Sequence, residues 1–262
     1  MKFSVITICR NNLAGLKKTH KSIQSQSFID YEWLVIDGAS DDGTIEYLNK
    51  IKDANIRFIS EPDKGLYDAM NKGIKIASGD FMVFMNSGDM FMSQDTLKIV
   101  SEEIDKNAKT VMVYGDALDF EPGGKTHYRK ARNHKTIARG MFTQHQSMFF
   151  ARLNNGSQPF YNINYKLSAD YQFIIKYLKL EQKGFKIKKL NLPLSRFELG
   201  GLNESRRYKA LKEDFKIRKQ DLQINILNNF LLYLAHFLHT NLKRFIPGIM
   251  KTIRYKKTTD GQ

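Results

Sequence analysis

The chain has 262 residues, 42% hydrophobic and 26% charged, which is enough for one folded domain with a tail and ordinary for a globular protein. One cysteine, Cys9, excludes a disulfide framework, the apolar run in residues 1–8 is too short for a secretory signal, and no stretch reaches the eighteen or so apolar residues of a spanning helix, so a cytoplasmic protein is expected. The net charge of +15 points to an anionic partner, phospholipid or nucleic acid, or else to a strongly solvated surface.

Residues 3–9 read as a first strand that ends in Cys9, a thiol expected to be buried and structural rather than nucleophilic. Asn11 or Asn12 can cap a helix to about residue 26. Strands are expected at residues 32–36, 56–59 and 81–85, with helices at 44–51 and 66–77 between them. This alternation predicts a mostly parallel central sheet flanked by helices. A helix at 94–104 and a strand at 111–114 continue the pattern. Glu121-Pro122-Gly123-Gly124 reads as a hairpin turn, residues 146–151 as a strand and 169–180 as a helix. After Gly200-Gly201 the character changes: residues 204–220 form a highly charged helix, and apolar residues then recur at helical spacing from Leu222 to Ile253, broken at Pro247-Gly248. Two parts follow, 1–200 and a basic amphipathic extension, 201–262.

The most informative stretch is residues 31–89, where two apolar strands each deliver an aspartate into a turn. Open α/β sheets bind ligands at that edge. Asp37, in Ile36-Asp37-Gly38, can accept a hydrogen bond from a nucleoside; alone it would read as a turn residue. Asp89, ending Asn86-Ser87-Gly88-Asp89, can hold a divalent metal on a diphosphate, because magnesium typically takes one or two carboxylates plus substrate phosphates. Together the two turns favour an enzyme acting on a nucleotide-activated substrate. Lys64 before a helix can neutralise phosphate or simply be solvated, and Tyr67, Asp68 and Asn71 share one face of that helix. Thr7 and Arg10, along and just beyond the first strand, complete the expected donor side. His145 and Gln146 lead into an apolar strand and can contact an acceptor, although a structural histidine is an even alternative. Asp170 opens a helix, where capping is the ordinary role and general base the other.

The string Ser60-Glu61-Pro62-Asp63-Lys64-Gly65-Leu66-Tyr67-Asp68-Ala69-Met70-Asn71-Lys72-Gly73, with Asn86-Ser87-Gly88-Asp89, resembles the family 2 glycosyltransferases of the GT-A fold. The similarity is to bacterial enzymes of exopolysaccharide, colanic-acid and O-antigen assembly, over residues 2–200. The resemblance implies that Asp37 grips the nucleoside, with Thr7, Arg10, Lys64, Tyr67, Asp68, Asn71, Asn86 and Ser87 around the donor. It further implies that Asp89 holds Mn2+ or Mg2+, that His145 and Gln146 lie toward the acceptor, and that Asp170 is the base. The implied reaction is direct displacement from a nucleotide-diphosphate sugar, a UDP-sugar by preference, with inversion. Only Asp89 keeps a carboxylate where the family's metal motif has two.

The extension lies beyond the resemblance. Its apolar stripe beside Lys243, Arg244, Lys251, Arg254, Lys256 and Lys257 suits a helix lying on anionic lipid, as an acceptor on a polyprenyl diphosphate would require. Packing on the catalytic part or on a second copy is the alternative. A nucleic-acid-binding protein would be expected to show an aromatic platform or zinc spacing, and neither motif is present. A nucleotidyltransferase would carry a glycine-rich loop where this chain has Cys9-Arg10-Asn11-Asn12-Leu13. A nucleotide-binding homologue without activity is a further alternative, raised by Asn86.

Overall fold

The computed structural model describes residues 1–104, 109–121, 124–154, 156–198 and 206–245. Four strands, β1 (Phe3–Cys9), β2 (Tyr31–Asp37), β3 (Ile56–Ser60) and β4 (Phe81–Phe84), pair in parallel in the order β3-β2-β1-β4. β1, β2 and β4 are buried along their whole length, which is why they read as predominantly apolar runs. The connections are α1 (Leu13–Gln24), α2 (Thr44–Lys50) and α3 (Leu66–Ile76). Asn12 caps α1 by accepting from Gly15 N–H, and Asp42 accepts from both Leu13 N–H and Thr44 N–H, so one carboxylate serves two helix starts. Gly73 lets α3 lie directly on β1, because a Cβ there would stand 2.5 Å from Ile6 Cγ2.

Beyond β4 the sheet becomes mixed, running β4-β8-β6-β9-β5 with β7 beside β6. Its strands are β5 (Met90–Phe91), β6 (Thr110–Phe120), β7 (Thr126–Arg129), β8 (Met148–Ala151) and β9 (Lys186–Glu198), with α4 (Thr96–Glu103) between β5 and β6. The hairpin expected around Gly124 is the antiparallel β6–β7 pair. Two expectations need correction. β6 runs to Phe120 because β9, which carries alternating lysines and Pro193 and gave no strand signal, pairs with it in parallel across register shifts. β8 starts at Met148, since residues 145–147 form a short 3-10 turn. Residues 134–139 are also 3-10 helix.

α5 (Ala169–Glu181) covers the mixed half through the fully buried Phe173, Ile174, Ile175 and Tyr177. α6 (Arg207–Asp221) packs on it with Leu211 and Ile217 and forms an antiparallel hairpin with α7 (Ile226–Phe245). The contacts Arg218–Asn229, Phe215–Tyr233 and Tyr208–Asn241 set that hairpin. Glu204, Pro247-Gly248 and the basic residues from Lys251 onward lie outside the described residues.

Candidate active site

The C-terminal ends of β1, β2 and β3 stand side by side, with Cys9 opposite Asp37 and Asp37 opposite Ser60. Residues 85–87 extend this edge, as Met85 N–H and Ser87 N–H donate to the Ile6 and Ile8 carbonyls. Asp37 is fully buried and accepts from Ser40 N–H (2.9 Å), Ser40 Oγ (2.5 Å) and Ser60 Oγ (2.7 Å). These bonds fix its carboxylate under Gly38. A Cβ on Gly38 would meet Asp63 Oδ2 at 2.5 Å and Arg10 Cδ at 3.3 Å, so the Asp63 and Arg10 side chains close directly over the Gly38 backbone. The exposed side chains of Arg10 and Lys64 make no ion pair among the described residues and are open to an anionic ligand.

The second acidic turn is tied down from three sides. Asn12 Nδ2 donates to Ser87 O and Ser87 Oγ to Asn12 O, while Thr19 Oγ1 donates to the Asn86 and Asp89 carbonyls and accepts from Gly88 N–H. Gly88 has φ +107°, a conformation side chains disfavour. Asp89 is 6% exposed and takes a 2.8 Å hydrogen bond from Gln146 Nε2. Burial raises its carboxyl to about 7; Gln146 and the Asn86 backbone oppose the rise and Glu198 adds to it. Asn86 Oδ1 is buried without a hydrogen-bond partner. An orphaned amide oxygen and a carboxylate held up by burial fit a hard divalent cation. Among the described residues no group of three or more acidic, histidine or cysteine side chains could hold one, so substrate phosphates would complete its shell.

Asp170 lies in the first turn of α5, half-buried, with Oδ1 accepting from Tyr171 N–H (2.8 Å) and Tyr67 Oη (3.3 Å). Burial raises it to about 6, Asp214 of α6 adds to the rise, and the Tyr171 and Tyr67 hydrogen bonds oppose it. A carboxylate near 6 is a capable proton acceptor at neutral pH. Tyr67 stacks on Tyr161, which stacks on Phe173 at 4.1 Å between ring centres. A stacked aromatic column therefore sets Asp170 against α3.

The model of the family described as "Glycosyl transferase family 2" matches residues 4–187. The chain belongs to glycosyl transferase family 2. An uncharacterized glycosyltransferase of Mycobacterium tuberculosis is 33% identical over 180 residues, 66% of this chain and 67% of that protein. A PGL/p-HBAD biosynthesis glycosyltransferase of Mycobacterium bovis is 32% identical, over 66% and 68%. Staphylococcus aureus TarS 1-349, solved in complex with UDP-GlcNAc, superposes with a TM-score of 0.66 at 18% identity, covering 97% of this chain and 76% of that one. The mannosyltransferase PcManGT of Pyrobaculum calidifontis, solved with GDP-Man and Mn2+, gives 0.64 at 15% identity, over 91% and 70%. These neighbours establish the GT-A fold.

Within this family 2 fold the expected site residues divide. Asp37, Arg10, Lys64, Asn86, Ser87 and Asp89 share the sheet edge, and Gln146 reaches it by holding Asp89. Thr7 does not face a donor: it is fully buried, donating to Met85 O and accepting from Trp33 Nε1. Asn71 spends its amide on both backbone groups of Tyr161, and Asp68 accepts from Lys64 N–H, so both brace the site rather than line it. His145 is enclosed by Phe84, Phe150, Tyr161 and Phe173, with Nε2 2.8 Å from Tyr161 Oη. Burial lowers it to about 3, so it is a neutral packing residue and does not meet an acceptor. Three residues went unassigned in the sequence. Asp63 sat inside the quoted string and was signalled only by its neighbours. Glu198 was hidden at the end of an unforeseen strand. Glu213, on α6, accepts from the N–H groups of residues 166, 167 and 168 and so holds the start of α5.

Proposed function

We propose that this chain is an inverting glycosyltransferase that moves a hexosyl or N-acetylhexosaminyl group from a nucleotide-diphosphate sugar to an acceptor hydroxyl. UDP is the favoured nucleotide, and a saccharide or polyprenyl-diphosphate-linked acceptor of cell-surface polysaccharide assembly the favoured acceptor. The fold, the family and the donors held by TarS and PcManGT support the donor class. Residues 1–200 carry the chemistry, and the extension, 201–262, whose described part is the α6–α7 hairpin, serves at the cytoplasmic membrane face.

The observation that carries the reading is Asp170, raised to about 6 and oriented by Tyr67 at the first turns of two helices. Asp170 takes the proton of the acceptor hydroxyl as its oxygen bonds the anomeric carbon. The bond from that carbon to the diphosphate oxygen breaks, and the nucleoside diphosphate departs with the electron pair. Attack opposite the leaving group inverts the anomeric centre. Asp37, Asp63 and Arg10 position the nucleoside and Lys64 faces the phosphates. Asp89, with Asn86 Oδ1, would hold Mn2+ or Mg2+, which when bound offsets charge developing on the diphosphate. A thermal-shift screen of UDP-, GDP- and dTDP-sugars, each with and without Mn2+, tests the proposal. A stabilising shift with one nucleotide class, enhanced by metal, is expected. Equal, null shifts for all three would sink it.

A further inference from the structure

α7 is amphipathic the wrong way round for a helix that ends its role by packing on its own protein. Asn229, Tyr233, His236 and Thr240 point toward α6 and the body, with Asn229 fully buried on Arg218 and His236 beside Gly140. Ile226, Leu227, Phe230, Leu231, Leu234, Leu238 and Leu242 face outward, 39–66% exposed, while Phe237 packs its ring on Tyr208 of α6. At about 100° per residue these seven occupy one arc of about 160°, over a length of about 24 Å. A soluble monomer rarely leaves so continuous an apolar stripe in water. On the solvent side of the same hairpin, Lys209, Lys212, Lys216 and Lys219 of α6 are all exposed and fall at helical spacing in one row.

We propose that this face, the apolar stripe of α7 with the lysine row of α6, docks the enzyme on an anionic lipid bilayer. The pairing of a broad apolar arc with flanking cations is what an interfacial helix needs: side chains enter the acyl boundary while ammonium groups meet lipid phosphates. No helix among the described residues is long and apolar enough to cross a membrane, so α7 lies along the surface. A second copy fits the charge less well, because a twofold contact over α7 brings two lysine rows toward each other. Further along the sequence come six more basic residues, Lys243, Arg244, Lys251, Arg254, Lys256 and Lys257. Docking also carries the base with it, since Glu213 grips residues 166–168 and Gln220 accepts from Tyr165 Oη. The surface stands independently of the donor and base assignments.

Flotation of the full chain with phosphatidylcholine vesicles, with and without phosphatidylglycerol, tests this. Binding is expected to the anionic vesicles and to weaken as salt rises. A Leu227→Glu/Leu231→Glu/Leu238→Glu variant should lose binding by roughly tenfold or more, while its melting temperature and its shift with UDP stay unchanged. A Lys212→Glu/Lys216→Glu/Lys219→Glu variant should lose the preference for anionic lipid. Failure of the wild-type chain to float with anionic vesicles overturns the proposal whatever the variants do. So does a lipid-free dimer, by light scattering, that the leucine variant converts to monomer without any change in flotation.

Discussion

At the scale of single residues, the site works by holding carboxyl groups away from their ordinary acidity. Asp89, near 7 by burial, is half protonated at neutral pH until a cation displaces the proton. Manganese affinity, measured by calorimetry in buffers of different ionisation heat, should fall about tenfold per pH unit below 7 and release a proton on binding. A pH-independent affinity would remove Asp89 as the ligand. Glu32 shows the opposite case. Burial pushes it up, but hydrogen bonds from Ser4, Ser78 and Arg57 outweigh burial and hold it at about 2. Its depressed pKa contributes stability that is present above about 4.5 and lost as the pH falls toward 2. Glu32→Ala leaves the buried Ser4 hydroxyl and the Ser78 N–H short of a partner and should cost roughly 1–3 kcal/mol at neutral pH. The acid limb of its denaturation curve should flatten; an unchanged acid limb would show that another group sets it.

At the scale of elements, what the sequence displays depends on how completely each element is buried. β1, β2 and β4 are buried on both faces, so an apolar run is enough to reveal them, and the two aspartates at their ends follow. β9 is half-buried, carries lysines and accommodates Pro193 where its pairing with β6 shifts, so neither its period nor its composition announces a strand. Asn71 and Thr7 illustrate a second limit. A polar residue beside a ligand edge and one satisfied by the backbone have the same letter, and only the hydrogen-bond partners of Tyr161 and Met85 separate them. The long-range role of α6 was illegible for the same reason. Glu213 lies more than forty residues from the N–H groups it accepts. Glu213→Gln should weaken these charge-assisted bonds and loosen the start of α5. We expect kcat to fall several-fold, with little change in donor KM, and the melting temperature to drop by a few degrees, about 1–3 kcal/mol being at stake. A rise in donor KM with kcat unchanged would contradict a role in placing the base.

At the scale of the whole molecule, a parallel half-sheet presents the edge that carries Asp37, a mixed half-sheet brings Gln146 and Glu198 to the Asp89 turn, and a helical hairpin supports Asp170 from behind. The central claim is that Asp170, raised to about 6, removes the acceptor proton. The most direct measurement is the pH dependence of kcat/KM for sugar transfer by the wild-type chain and by Asp170→Asn, with nucleotide affinity followed alongside. Because the base acts deprotonated, wild-type kcat/KM should rise about tenfold per pH unit below 6 and level above it. Asp170→Asn should lose roughly a hundredfold or more, and the limb near 6, with UDP affinity retained. Near-normal turnover by Asp170→Asn, with the same limb still present, would contradict the account.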